Sequence, residues 1–160
     1  MRNGKRIARA GMIAALYAAL TLIAQPISFG YGGMFQMRIS EMLTILPVLT
    51  PTAVWGLTAG CLVANIVGGG TVLDIIFGTL ATLLAAVATR LLRTKPFLAS
   101  LMPTVFNTLI VGAVLCQIVE GFTYPMAMLS VVPGEFAAAT GLGLLLLRVL
   151  PESVKEGIRE

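Results

Sequence analysis

No charged residue occurs between Arg9 and Arg38, between Glu41 and Asp74, between Asp74 and Arg90, between Lys95 and Glu120, or between Glu135 and Arg148. Uninterrupted apolar runs of this length have no side suited to water. A bilayer accepts them, because about 20 apolar residues in a helix span its hydrocarbon core and a helix satisfies its own backbone polar groups. Charged residues are 11% of the 160 and hydrophobic ones 58%, whereas a soluble domain carries about 25% charged residues. So little charge cannot cover so large an apolar interior. The chain therefore reads as an all-α, polytopic membrane bundle folded as a single domain over residues 1–160, since each apolar segment needs neighbours to bury its few polar groups.

The cations are bunched. Arg2, Lys5, Arg6 and Arg9 lie at the N-terminus, Arg90, Arg93 and Lys95 in one short loop, and Arg148, Lys155 and Arg159 at the C-terminus. This is the distribution that the positive-inside rule produces, and it places all three clusters on the cytoplasmic side. No aromatic or glycine pattern accompanies them, so a nucleic-acid surface is not expected. The N-terminal basic residues followed by an apolar run also resemble a signal peptide, but the run from Ile7 to Ala24 is longer than a signal core and Gln25-Pro26 is a poor cleavage site.

Six spans satisfy every basic cluster, at about residues 7–24, 37–49, 51–67, 71–92, 96–119 and 125–149, with both termini cytoplasmic. The first ends at Gln25-Pro26, because proline disfavours helix for the residue before it. It carries Ala10, Ala14 and Ala18 at every fourth position, with Gly11, Ala15 and Ala19 beside them. Such a small-residue face admits another helix closely; spacing alone does not say whether that helix belongs to this chain or to another protein. The second span is short and contains Pro47. Parity requires it to cross, since otherwise the Arg90 loop would fall on the wrong side. Thr50-Pro51 reads as the start of the third span, and Gly68-Gly69-Gly70 as a tight connection. That triplet is not a phosphate loop, because no Gly-Lys-Ser/Thr follows. The sixth span is expected to be interrupted at Pro133-Gly134.

Between the first two spans lies a glycine-rich loop bearing Phe29, Tyr31 and Phe35, on the outer side. Around it, depth ranks the polar residues. Arg38 and Glu41 open the second span, Asn65 lies in the outer part of the third, Asp74 starts the fourth, and Glu135 is about 15 Å deep in the sixth. The depth of Asn107 depends on whether the fifth span starts at Pro96 or Pro103. A charge facing lipid costs on the order of 2.5 to 3.5 kcal/mol, so these groups are expected to face a cavity opening outward. Alternatives stand beside this reading. Arg38 and Glu41 at i, i+3 can pair at the membrane surface, Asp74 with Thr71 matches a capping box, and Glu120 reads as a solvated loop residue.

There is no histidine, and Cys61 and Cys116 both sit in apolar segments as small packing residues. No metal or other cofactor is therefore expected. Nor is an enzyme, because no nucleophile–base pair is visible.

Several segments together resemble the queuosine-precursor transporter family, the QueT type. They are Pro26-Ile27-Ser28-Phe29-Gly30, Arg38-Ile39-Ser40-Glu41, Ala64-Asn65, Leu73-Asp74-Ile75-Ile76-Phe77-Gly78, Phe106-Asn107-Thr108-Leu109-Ile110-Val111-Gly112 and Gly134-Glu135. The resemblance implies a six-helix substrate-binding S component of an energy-coupling factor importer. Its partners would be a transmembrane coupling subunit and two ABC ATPases, and its substrate queuine or another 7-deazaguanine precursor. It further implies that Ala10, Ala14 and Ala18 dock on the coupling subunit and that the loop with Phe29 and Tyr31 gates the site. In the binding site, Glu135 or Glu41 would accept from the donor edge of the base, with Arg38, Asn65 and Asn107 orienting it and Asp74 near any ammonium. The rival expectations are an S component for another vitamin and a stand-alone ion-coupled transporter in which Glu135 titrates.

Overall fold

The first helix, α1 (Arg2–Ile23), is followed by the short α2 (Gln25–Ser28). A computed structural model describes residues 2–28 and 36–158 of the chain, and no strand occurs among them. A 3₁₀-helix, Ile39–Val48, forms the second expected span, and α3 (Thr52–Val67) the third. A single wide π turn, Asp74–Gly78, leads into α4 (Thr79–Leu91). Next comes α5 (Pro96–Ile118), with Pro103 tolerated inside it. The chain closes with α6 (Tyr124–Glu135), a π segment (Phe136–Leu142), α7 (Gly143–Val149) and the short α8 (Glu152–Ile158).

Among the described residues, four helical stretches are long and apolar enough to cross a membrane: Asn3–Ile23, Asp74–Leu91, Pro96–Ile118 and Tyr124–Val149. The second and third expected spans are shorter, at ten and sixteen residues. The 3₁₀ geometry offsets part of that deficit, since its rise of about 2.0 Å per residue carries ten residues across about 20 Å. Two residues favour this geometry. Pro47 has no N–H for an α-helical bond, and the Thr44 hydroxyl donates to the Glu41 carbonyl three residues back. The segment also needs little lipid-facing length. It packs on α1, α3, α4, α5, α7 and the π segment Phe136–Leu142, and Ser40, Glu41, Leu43, Thr44, Ile45, Leu46 and Pro47 are all buried. At its far end Arg90 of α4 donates from Nη1 to the Pro47 carbonyl at 3.0 Å and the Val48 carbonyl at 3.4 Å. A cation there suits the negative end of a helix.

The expected interruption at Pro133-Gly134 is absent. The helix runs on through both residues and widens into the π segment immediately afterwards, so Glu135 remains on continuous helix. The backbone freedom that Pro133 demands is taken up as a wider turn.

α1 packs chiefly on α3, α4 on α5, and α5 on α6. The first of these contacts depends on missing side chains: a Cβ at Gly56 would lie 2.8 Å from the Ala10 carbonyl oxygen, and one at Gly60 would lie 2.7 Å from that of Ala14. Backbone therefore meets backbone, as membrane helices do where small residues face one another. At least part of the alanine stripe thus serves packing within the chain. Ala10 and Ala14 lie where α3 covers α1, and Ala18 is only 8% exposed. The small residues that remain open on the described part of α1 are Gly4, Ala8, Gly11, Ala15 and Ala19.

Candidate functional site

Gly134 determines how closely residues 36–38 approach α6, because any Cβ there would run into the Gln36 carbonyl and the Met37 Cα. The Gln36 N–H donates to the Ser130 carbonyl at 3.3 Å, and the Met37 N–H to the Ile27 carbonyl at 3.1 Å. Thus held between α2 and α6, the chain turns at Arg38 from extended backbone into the 3₁₀-helix. Arg38 and Glu41 consequently enter the bundle side by side with Glu135, the last residue of α6.

Glu41 is fully buried, Glu135 is 4% exposed, Arg38 5% and Asn107 3%. Asn107 lies against both carboxylates, and Arg38 is close enough to act electrostatically on each. Its position is now clear: α5 starts at Pro96, which puts Asn107 near the middle of that helix. The Arg38 guanidinium donates from Nε to the Ser28 carbonyl at 3.4 Å and lies 3.8 Å from the Cys61 sulfur through Nη1. Glu41 receives the Tyr17 phenol on Oε1. The Thr21 hydroxyl donates to Ser40 Oγ at 2.7 Å, a second tie between α1 and this end of the 3₁₀-helix.

Asn65 is also fully buried, but much of its capacity serves the fold. Its Nδ2 donates to the Asp74 carbonyl at 3.0 Å and lies 3.5 Å from Cys61 Sγ, so it braces the π turn that opens α4. Asp74 itself is not brought into the cluster. Its carboxylate accepts from the Thr71 N–H at 2.9 Å and the Thr71 hydroxyl at 2.8 Å, while its own N–H donates back to Thr71 Oγ1 at 3.2 Å. This reciprocal arrangement is a capping box that stabilises the start of the helix. Phe29 and Tyr31, expected as gate residues, lie outside the described residues. Glu120 is exposed in a connection.

Three members of the cluster escaped sequence reasoning. Tyr17 had a readable signal, since a phenol midway along an apolar helix needs a polar partner. Cys61 had none: its sulfur gathers Arg38, Asn65 and, at 3.2 Å, the Thr82 hydroxyl, which only the fold could bring together. Gln36, whose Nε2 donates to the Ser28 carbonyl at 3.0 Å, looked like part of a loop.

What the cluster leaves unsatisfied indicates what it can hold. Glu41 Oε2, Glu135 Oε2, Gln36 Oε1 and Asn65 Oδ1, together with the Ser28 hydroxyl, are buried without a hydrogen-bond partner among the described residues. Buried polar atoms are nearly always paired, so a concentration of unpaired ones is where ordered water or a ligand would complete the bonding. Four of the five are acceptors only. The matching ligand is rich in N–H donors. Among the described residues no group of His, Cys, Asp and Glu could hold a metal ion.

Apolar helices of membrane-crossing length, wrapped around a buried polar cluster, define a multi-pass membrane protein. The chain matches the family model described as QueT transporter over residues 7–152, and it belongs to that family. It is a transport protein. Neither a curated protein nor a solved structure matches the chain.

Proposed function

We propose that this chain is the substrate-capturing S component of an energy-coupling factor importer, and that it takes up a queuosine precursor, queuine or a simpler 7-deazaguanine. The observation that carries the reading is the set of unpaired acceptors on Glu41, Glu135, Gln36 and Asn65 around one buried arginine. The 7-deazaguanine edge presents a ring N–H and an exocyclic amine side by side, which a carboxylate accepts in pairs, while Arg38 can donate to the ring carbonyl. Asn107, between the two carboxylates, holds their orientation. Asp74, committed to its capping box, is left out of this site.

Six crossings with both termini on the cytoplasmic side fit the three basic clusters and the continuous central position of the 3₁₀-helix. No nucleotide-binding motif occurs in the chain, so uphill uptake would draw on a coupling subunit and two ABC ATPases. The exposed side of α1 suits that subunit. Of the four long apolar stretches, Asn3–Ile23 has the smallest buried share, 17%, and its open small residues Gly11, Ala15 and Ala19 permit close helix approach.

Mass spectrometry of small molecules retained by the purified chain tests the substrate directly, and a 7-deazaguanine is expected. Titration with 7-deazahypoxanthine, which lacks the exocyclic amine, should show binding at least about 10-fold weaker than the guanine form, since an acceptor is then left buried and unpaired. Equal binding of the two, or retention of an unrelated vitamin, would overturn the assignment.

A further inference from the structure

The charges of the cluster do not balance. Glu41 and Glu135 bring two carboxylates and Arg38 one guanidinium, all three nearly or fully buried. Among the described residues no other element packed around them supplies a compensating cation. The titratable side chains that face it are Tyr17 from α1 and Cys61 from α3, and the remaining polar ones, among them Asn65, Thr82 and Asn107, carry no charge. Residues 29–35 contain Tyr31 but no Lys, Arg, Asp or Glu, so the connecting segment cannot alter the count either. Asp74 is turned to its capping box and would only add to the negative side.

A single uncompensated charge at this burial is costly, and two neighbouring carboxylates in one site do not both stay ionised without a counter-charge. Two species can supply the missing positive charge, a proton or a cationic ligand. We propose that Glu41 and Glu135 together carry one proton, on one or the other carboxylate, in the ligand-free protein and release it to bulk water when the site takes a monocationic, ammonium-bearing ligand. The site is neutral before and after: the proton leaves as the ammonium enters, and no covalent bond of the ligand changes. This deepens the reading of the site as a 7-deazapurine receptor and rests on it for the choice of probes. It also sets a selectivity, because a neutral ligand of the same ring leaves that proton in place and gains nothing from the pair's charge.

Linkage gives the sign. Proton release on binding means that affinity for the cation rises with pH, by up to about tenfold per unit while the free pair holds its proton. Affinity for the neutral analogue stays flat.

The experiment is calorimetric titration of the full chain in lipid nanodiscs with 7-aminomethyl-7-deazaguanine and with its 7-cyano analogue. Two buffers of different ionisation enthalpy, over roughly pH 6 to 8, count the protons. About one proton released per amine bound and none per nitrile is the expected result. In Glu41→Gln and in Glu135→Gln the remaining binding of the amine should proceed without proton release, and its preference over the nitrile should fall at least about tenfold. Binding of the amine without proton release in the wild-type chain, or an unchanged preference in both variants, overturns the proposal. If neither ligand binds the wild type, the 7-deazapurine reading fails and the charge argument is decided separately by infrared spectroscopy of the ligand-free chain. A protonated-carboxyl band that disappears in both glutamine variants supports the bound proton, and absence of that band in the wild type refutes it.

Discussion

The Tyr17 phenol donates its hydrogen bond to Glu41 Oε1, so the first helix holds one oxygen of the carboxylate and leaves Oε2 for another partner. The two residues are 24 positions apart, and both are completely buried. Tyr17→Phe keeps the ring and removes the donor. A buried acceptor then loses its partner, which costs about 1 to 3 kcal/mol. The variant is expected to unfold at lower temperature in detergent and to bind ligand more weakly, as thermal denaturation and titration of the same preparation would show.

Gly134→Ala is expected to abolish ligand binding without preventing membrane insertion. Its methyl group would collide with the Gln36 carbonyl and push residues 36–38 off α6, moving Arg38 and Glu41 away from Glu135. Overpacking of this kind costs about 1 to 3 kcal/mol. Normal expression in the membrane fraction together with lost binding is the combination to look for.

The two small-residue faces of α1 should behave differently. Gly60→Val places atoms where a Cβ alone would be 2.7 Å from the Ala14 carbonyl oxygen, so it should lower the melting temperature of the isolated chain. Ala15→Leu, on the open side, should leave that temperature unchanged and reduce co-purification of the coupling subunit. If instead Ala15→Leu destabilises the isolated chain, the open face is not a docking face.

Asp74→Ala separates helix capping from ligand contact. Loss of the cap costs about 0.5 to 2 kcal/mol, visible in thermal denaturation, whereas substrate affinity is expected to change by less than about threefold because the carboxylate is committed to Thr71. A loss of affinity comparable with that of a Glu135 variant would return Asp74 to the site.

Arg90→Gln should loosen the C-terminal end of the 3₁₀-helix. Hydrogen bonds from a charged donor contribute about 1.5 to 3 kcal/mol, and Arg90 directs two contacts at the Pro47 and Val48 carbonyls. Faster amide hydrogen exchange at residues 45–50 would report the loss.

The membrane class and the identity of the central polar residues were legible because charge is so scarce in this chain. Arg38, Glu41 and Glu135 stand out against uninterrupted apolar runs, and depth alone drew them toward one another. Local chemistry was legible too: the Thr71 and Asp74 spacing is a capping box in sequence and in structure. What failed to show was anything that depends on which helix faces which. The stripe of Ala10, Ala14 and Ala18 announces close packing, and so does the small-residue face with Gly60 in the third segment, but neither stripe names the other as its partner. Cys61 is equally silent, since a thiol among apolar residues looks the same whether or not Arg38 stands beside it. The winding of residues 39–48 was illegible for another reason. Pro47 permits several helical geometries, and the choice is made by the six elements packed around it.

That winding sets the length of the second expected span. Ten residues at the 3₁₀ rise reach about 20 Å, but at the α-helical rise only about 15 Å. One end carries Arg38 and Glu41, and the other is gripped by Arg90 on the side of the basic loops. Wound as an α-helix, the same residues would make a rod about 5 Å shorter, so the 3₁₀ pitch is what lets ten residues separate the polar cluster from the Arg90 contact by about 20 Å.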